Sequence, residues 1–412
     1  MKHETLITRL SSLFRRPKGK LALNLSGDIK AMENGYYRSL AEVFRTLQIL
    51  AFVGLFLFTT IFVLSNRESI TYENLYYFVK DFRTAIDNTD ESGTALVYET
   101  DSKMTFVPYK GGLAVAGGER LQLYTATGYL NASAQLGFYS PALEASTSRL
   151  MIYDCGGTSC QIYNSFTKIH SQVEDHDIRF GHLSEAGDYL LVTDDEDYPS
   201  AVLIYNERFR RVNRLRLNSY VVSARLNAEG SRAAILAYEC KNGVYETRLI
   251  VTAVGSDSYE LDYTISGEFP LGVAFVSSDT ALLLTDTQIY RINAKGSVDA
   301  VERFTSRTVQ KFVFTDTHLA VLTKNGDEFS LSAFDNSGKM VYNTTVEESV
   351  SALAGYRNYV FLETSSSLIR ISLENGKTSS LPCTSAGVLL AVSEHRALVC
   401  GSGEAKYFRF AS

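Results

Sequence analysis

Three of the six histidines fall in one stretch: His170, His176 and His182, with Glu174, Asp175 and Asp177 among them. Imidazole and carboxylate groups hold zinc when three or four converge at about 2 Å. The stretch crosses the junction of two repeats, and nothing in its spacing forces convergence, so a solvated polar loop is the plainer reading. Asp194, Asp195, Glu196 and Asp197 follow the apolar segment YLLVT as an acidic hairpin tip. Calcium takes several oxygens at about 2.3–2.6 Å, but the alternating ligand and glycine pattern of a calcium loop is missing. The expectation is no bound metal, with His170, His176, His182, Asp194, Asp195 and Asp197 as the weak candidates.

Arg208, Arg210, Arg211, Arg214 and Arg216 crowd into NERFRRVNRLRLN. On a strand, Arg214 and Arg216 share one face while Leu215 and Leu217 share the other. Such a basic stripe would hold an anionic polymer or an acidic partner. It would equally keep an exposed sheet edge from pairing with another chain. The five cysteines leave one odd thiol. Cys155 and Cys160 flank GGTS between two strands, where facing positions reach disulfide geometry. That pair is the disulfide candidate, and C-x4-C is not a zinc-knuckle spacing. Cys240, Cys383 and Cys400 sit in apolar contexts that suggest burial. There is no glycine-rich phosphate loop, no G-x-S-x-G and no H-E-x-x-H, so catalytic residues stay unknown and no cofactor is expected.

The segments that must carry these residues begin with an anchor. From Thr46 to Asn66 no residue is charged, and Arg45 and Arg67 bound the run. A helix rises about 1.5 Å per residue, so roughly 20 apolar residues cross the hydrocarbon core. Residues 46–66 are therefore read as one transmembrane helix, with helical spacing already evident from Tyr36. Residues 1–45 hold nine Lys and Arg against four acids, which leaves −11 for the remainder of a chain of net charge −6. Basic residues in short segments stay cytoplasmic. The expectation is a basic cytoplasmic tail over 1–45 and everything from 67 onward on the outer side of the cell membrane. The cluster Arg15, Arg16, Lys18 and Lys20 acts as a topology signal and suits an anionic lipid surface.

Beyond the span, Leu75, Phe78, Val79, Phe82 and Ile86 form one apolar stripe over residues 70–88. The expectation is a juxtamembrane amphipathic helix within 67–93, ended by the polar turn DNTDESG.

From residue 94 the pattern changes to short alternating segments separated by Gly, Asn, Asp and Ser. One phrase recurs, as LQLYTATG, CQIYNSF, VLIYNERF, RLIVTAVG, QIYRINAKG, LSAFDNSG, LIRISLENG and KYFRFAS. Anchors at Tyr124, Tyr163, Tyr205, Val251, Ile292, Phe334, Leu373 and Phe410 step by 39, 42, 46, 41, 42, 39 and 37 residues. Each phrase follows an extended strand and a short apolar one such as YLLVT, and precedes a fourth. Four strands every forty residues or so indicate β-propeller blades, whose radial stacking buries both faces of every sheet. The fold class is all-β, an eight-bladed propeller over 94–412, with seven blades the alternative. ALVYETDSK at 95–103 is left over to complete the last blade and close the ring.

The order of basic tail, single span, ITYENL at Ile70–Leu75, and repeats carrying IYN and FDNSG resembles a bacterial family of unknown function. Its members are single-pass membrane proteins with an extracytoplasmic propeller of quinoprotein-like or WD40-like repeats. The resemblance implies this architecture and transfers no site residue. The chain departs from both repeat types: it has no Trp, and so neither a WD dipeptide nor a quinone-docking tryptophan.

These readings favour a membrane-tethered binding or scaffold module over an enzyme. A partner protein or envelope polymer would dock on the propeller loops, with the lipid bilayer as the other partner. A hydrolase or lyase at the central funnel is the alternative, and a transmembrane sensor is another. Nucleic acid is disfavoured by the acidic outer part.

Overall fold

The structure is a computed structural model. It describes residues 35–65 and 95–411, apart from 166, 257, 294, 295, 385 and 386. The helix expected over 70–88 and the basic cluster at Arg15–Lys20 lie outside the described residues.

Helix α1 spans Gly35–Ser65. Within it, Ser39–Thr60 is long and apolar enough to cross a membrane, and none of that stretch is buried by protein. Thr59 and Thr60 donate their hydroxyls to the carbonyls of Leu55 and Phe56, both at 2.7 Å. That back-bonding satisfies polar groups that a hydrocarbon surrounding would leave stranded.

The rest forms eight four-stranded antiparallel sheets. Seven are built from consecutive strands, at 105–135, 141–173, 178–217, 220–266, 270–303, 308–346 and 350–382. The eighth takes its inner three strands from 388–409 and its outer strand from Ala95–Val97. This is the eight-bladed propeller expected from the repeats, and ring closure uses the segment left over at the start of the domain. Leu96 pairs with Ala405 and is buried, and the Tyr98 hydroxyl donates to the Gly401 and Glu404 carbonyls at 2.5 and 3.0 Å.

The recurring phrase is the third strand of every blade. The short apolar segment before it is the second, and in Tyr189–Thr193 and Ala281–Thr285 every residue is buried. Middle strands covered on both faces read as unbroken apolar runs. Their side chains feed eight hydrophobic clusters, one at each blade interface. Each blade is thus stabilised mainly by its two neighbours.

At five anchors the ladder slips by one residue between third and outer strands, at Leu123/Tyr124, Ile162/Tyr163, Ile204/Tyr205, Val251/Thr252 and Ala333/Phe334, and in the fifth blade it slips ahead of the anchor, at Ile289/Tyr290. Bulges of this kind sharpen strand twist. Just beyond them the outer strand reaches the next blade's third-to-outer turn. Asn131 Nδ2 donates to Ser165 O at 3.2 Å, Asn213 Nδ2 donates to Ser256 O at 2.7 Å, and the His170 ring stacks on Phe209 at 4.3 Å.

Candidate functional site

The inner strands of neighbouring blades lie side by side around the central channel. Most of their residues are apolar or small. Three adjacent blades bring a charged or titratable residue to a common point: Glu144 in PALEA, His182 in IRFGHL and Arg225 in VVSARL. Arg179, on the same strand as His182, pairs instead with Asp194, and Lys311 is on the inner strand of the sixth blade. Glu144 Oε2 lies 3.4 Å from His182 Nδ1, and Oε1 lies 3.7 Å from Arg225. Contact between the second and fourth blades places this group across the channel wall rather than inside one interface. Burial alone would raise the Glu144 pKa, but the His182 hydrogen bond and the Arg225 charge hold it below the usual carboxylate value. The buried Tyr153 hydroxyl has its pKa raised, chiefly by burial and then by Glu144.

One end of the channel is ringed by the turns between first and second strands. These carry Glu185, Asp188, Glu229, Asp279, Asp316 and Glu394 against Lys110, Arg149 and Arg357. Glu185 accepts the Thr147 amide at 2.9 Å across a blade boundary. Burial, and next the charge of Glu185, raise the pKa of Asp316, while Arg357 opposes the shift. The arrangement presents mostly negative charge at this mouth, above a wall in which Glu144 faces His182 and Arg225.

Residues 87–380 match the model of a family of unknown function, DUF5711. The chain belongs to that family. No curated protein sequence matches it. Among solved structures it is similar to hydrazine synthase of Kuenenia stuttgartiensis, at 10% identity over 65% of this chain and 95% of that one, with a TM-score of 0.45. It is also similar to the Cps50 (Swd1) β-propeller domain of Myceliophteria thermophila, at 12% identity over 78% and 100% of the two chains and a TM-score of 0.45. A third likeness is to Hsv2 of Kluyvelomyces marxianus, at 13% identity over 64% and 88% and a TM-score of 0.45. The fold of this DUF5711 chain therefore rests on its own sheet topology.

The residues singled out from sequence are dispersed. His170 is on an outer strand, where its Nε2 is 2.9 Å from Gln172 Oε1, while His176 is in the connection to the next blade and His182 is on the channel wall. Gln172 and Glu174 continue the His170 face and receive the hydroxyls of Tyr189 and Tyr205 at 2.5 and 2.7 Å. That strand face locks two blades together. Asp194 binds Arg179 through both carboxylate oxygens, at 2.7 and 2.6 Å. Asp195, whose side chain is only 1% exposed, takes Arg214 and Arg216 at 2.8 and 3.2 Å. Asp197 donates its amide to Asp195 at 3.2 Å. Among the described residues no group of three or more His, Cys, Asp or Glu is placed to hold a metal ion.

The arginine stripe divides. Arg214 and Arg216 lie on the exposed face of an outer strand but are tied to Asp195, and Arg216 also covers the Tyr198 ring at 5.7 Å. Arg208 pairs with Glu207 at 3.4 Å, in the turn that also holds Arg210, and Arg211 opens the strand. Cys155 and Cys160 are both free thiols. The register sets Cys160 opposite Tyr153, not Cys155, whose sulfur donates to the Arg179 carbonyl at 3.1 Å. Cys383 and Cys400 are buried as expected, but Cys240 is exposed. It lies near the end of a ten-residue strand that outruns the five- to eight-residue second strands of the other blades.

Proposed function

We propose that this DUF5711 protein is a membrane-tethered binding module. Residues 1–45 form a cytoplasmic tail, 46–66 the span, 67–93 a juxtamembrane linker helix, and 94–412 a propeller on the outer side. Its loops recognise a partner protein or an envelope polymer at the acidic mouth of the channel. The pairing of Glu144 with Arg225 and His182 carries this reading. A carboxylate held below its usual pKa by two neighbours is a weak base, suited to fixing the wall and not to moving protons. The uncovered apolar surface of α1 supports the tether.

Asp316 favours the enzyme reading instead. A carboxyl with a raised pKa beside a second carboxylate is the usual preparation of a general acid. The two readings separate by experiment. Photo-reactive residues are placed at Glu185 or Asp279, and at Lys168 on an outer strand, in the full-length protein in intact cells. A covalent adduct formed from the two mouth positions and not from position 168 supports recognition at the mouth. Equal yields from all three positions, or none from any, would overturn it.

A further inference from the structure

The second and third strands of the fourth blade, Arg232–Lys241 and Val244–Ala253, project as the longest hairpin of the propeller. The tip residues Asn242 and Gly243 both have positive φ, which suits a tight two-residue turn. Tyr220 pairs across the ladder with Tyr238, and Cys240 with Tyr245, so the three tyrosines share one face. Phe269, in the connection to the fifth blade, joins them. Ring centroids are 5.8 Å apart for Tyr220 and Tyr238, 5.1 Å for Tyr238 and Phe269, and 5.2 Å for Tyr245 and Phe269. Tyr220 is 57% exposed and Tyr245 46%.

At several places elsewhere the propeller covers a ring with its own cation, although among the described residues the exposed Tyr129, Tyr259 and Tyr263 are not covered in this way. Lys103 stands over Tyr139, Arg216 over Tyr198, Lys324 over Phe329 and Arg357 over Tyr356. Among the described residues no such cation stands over Tyr220, Tyr238, Tyr245 or Phe269. Lys241, Glu239 and Glu246 alternate onto the other face of the hairpin, where the two carboxylates hold the ammonium, Glu246 at 3.0 Å. Glu268 is bonded to Thr285 and Asp286 to the Phe269 amide. Two carboxylates, Glu268 and Asp286, therefore border the face that carries the rings. Ring faces attract cations through their quadrupole, and the net negative rim selects the same sign.

We propose that this strip binds the ammonium groups of a lysine-rich protein segment. Charge complementarity fixes the occupant: an uncharged apolar partner would leave the excess carboxylates unanswered, and an acidic one would be repelled. The strip lies at the second-to-third-strand end of its blade, opposite the acidic mouth, so it stands or falls apart from recognition there.

The test uses the full-length protein in a maltoside detergent and the peptide Lys-Lys-Lys-Lys-Trp. The chain has no tryptophan, so indole anisotropy reports the peptide alone. Saturable binding that Tyr220→Leu and Tyr245→Leu each weaken about 2- to 5-fold, at unchanged Tm, is the expected result. Leucine keeps the apolar bulk and removes the quadrupole, so unaltered binding in both variants overturns the proposal. So does equal binding of Gln-Gln-Gln-Gln-Trp or tighter binding of Pro-Pro-Pro-Pro-Trp. Phosphocholine binding more tightly than the lysine peptide would overturn the choice of a protein partner. If Tyr245→Leu lowers Tm, the most exposed ring, Tyr220, carries the test.

Discussion

Glu144 depends on its two partners more than on solvent. Its ionised form is stabilised in the folded state, so its contribution is complete above the ordinary glutamate pKa of about 4.3 and is lost as pH falls through its lower folded value. Glu144→Gln removes that charge and turns an amide NH2 towards either Arg225 or His182, so the two no longer share a carboxylate. A loss of about 1–3 kcal/mol at pH 7 is expected. The gap between wild type and variant should close as the pH is lowered towards 3. Melting curves at pH 7, 5 and 3 measure it. A gap that stays constant with pH would mean that the carboxylate charge is not what the site uses. Glu144 and Arg225 were visible in sequence only as a charged residue in an otherwise uncharged segment, and His182 only as a member of the histidine stretch. Glu144 and His182 are 38 residues apart, close to one blade repeat, and that periodic recurrence of charge was the available signal.

At the level of elements, the repeat was readable because middle strands are covered on both sides and must be apolar throughout. The third-strand phrase was the clearest part, since its last residues form the bulge and the next blade's contact. Arg211, Arg214 and Arg216 of the basic stripe are on an outer strand while Arg208 and Arg210 lie in the turn before it, and the ion pairs were not legible because Asp195 comes from a different hairpin. The long hairpin left a trace that was not used: the widest anchor step, 46 residues, ends at Val251 inside it. The exposure of Cys240 follows from the same extension. The shortest element is the most testable. Ala95–Val97 closes the eighth blade with three residues, and Leu96 is its buried contact. Leu96→Ala should cost about 2–5 kcal/mol. Hydrogen exchange should then show the loss first at residues 404–406, whose partners are Ala95–Val97. Uniform loss across all blades would instead mean that the ring opens as one unit.

For the whole molecule, topology is the first question, and the cysteines answer it without added probes. All five lie in the propeller, and Cys155 and Cys240 are exposed. If the propeller is on the outer side, a membrane-impermeant maleimide should label the protein in intact cells, and the double variant Cys155→Ser, Cys240→Ser should lose most of that label. Labelling that appears only after lysis would place the propeller inside and remove the envelope from the list of partners. The sequence could suggest orientation because the basic excess before the span is local. It could not give the partner, because the surfaces that would meet it are assembled from blades far apart in the chain.

The closing strand also sets an order of events. Tyr98 bonds to Gly401 across 303 residues. While the chain is being synthesised, that contact cannot form until the strand at 404–409 has emerged. Until then seven blades stand as an open arc, with the unsatisfied amides and carbonyls of 95–97 exposed at one end. Joining ends so far apart carries an entropic cost that grows only as the logarithm of the separation. Waiting time, and what else pairs with a bare strand meanwhile, is therefore the greater hazard for a nascent molecule of this shape.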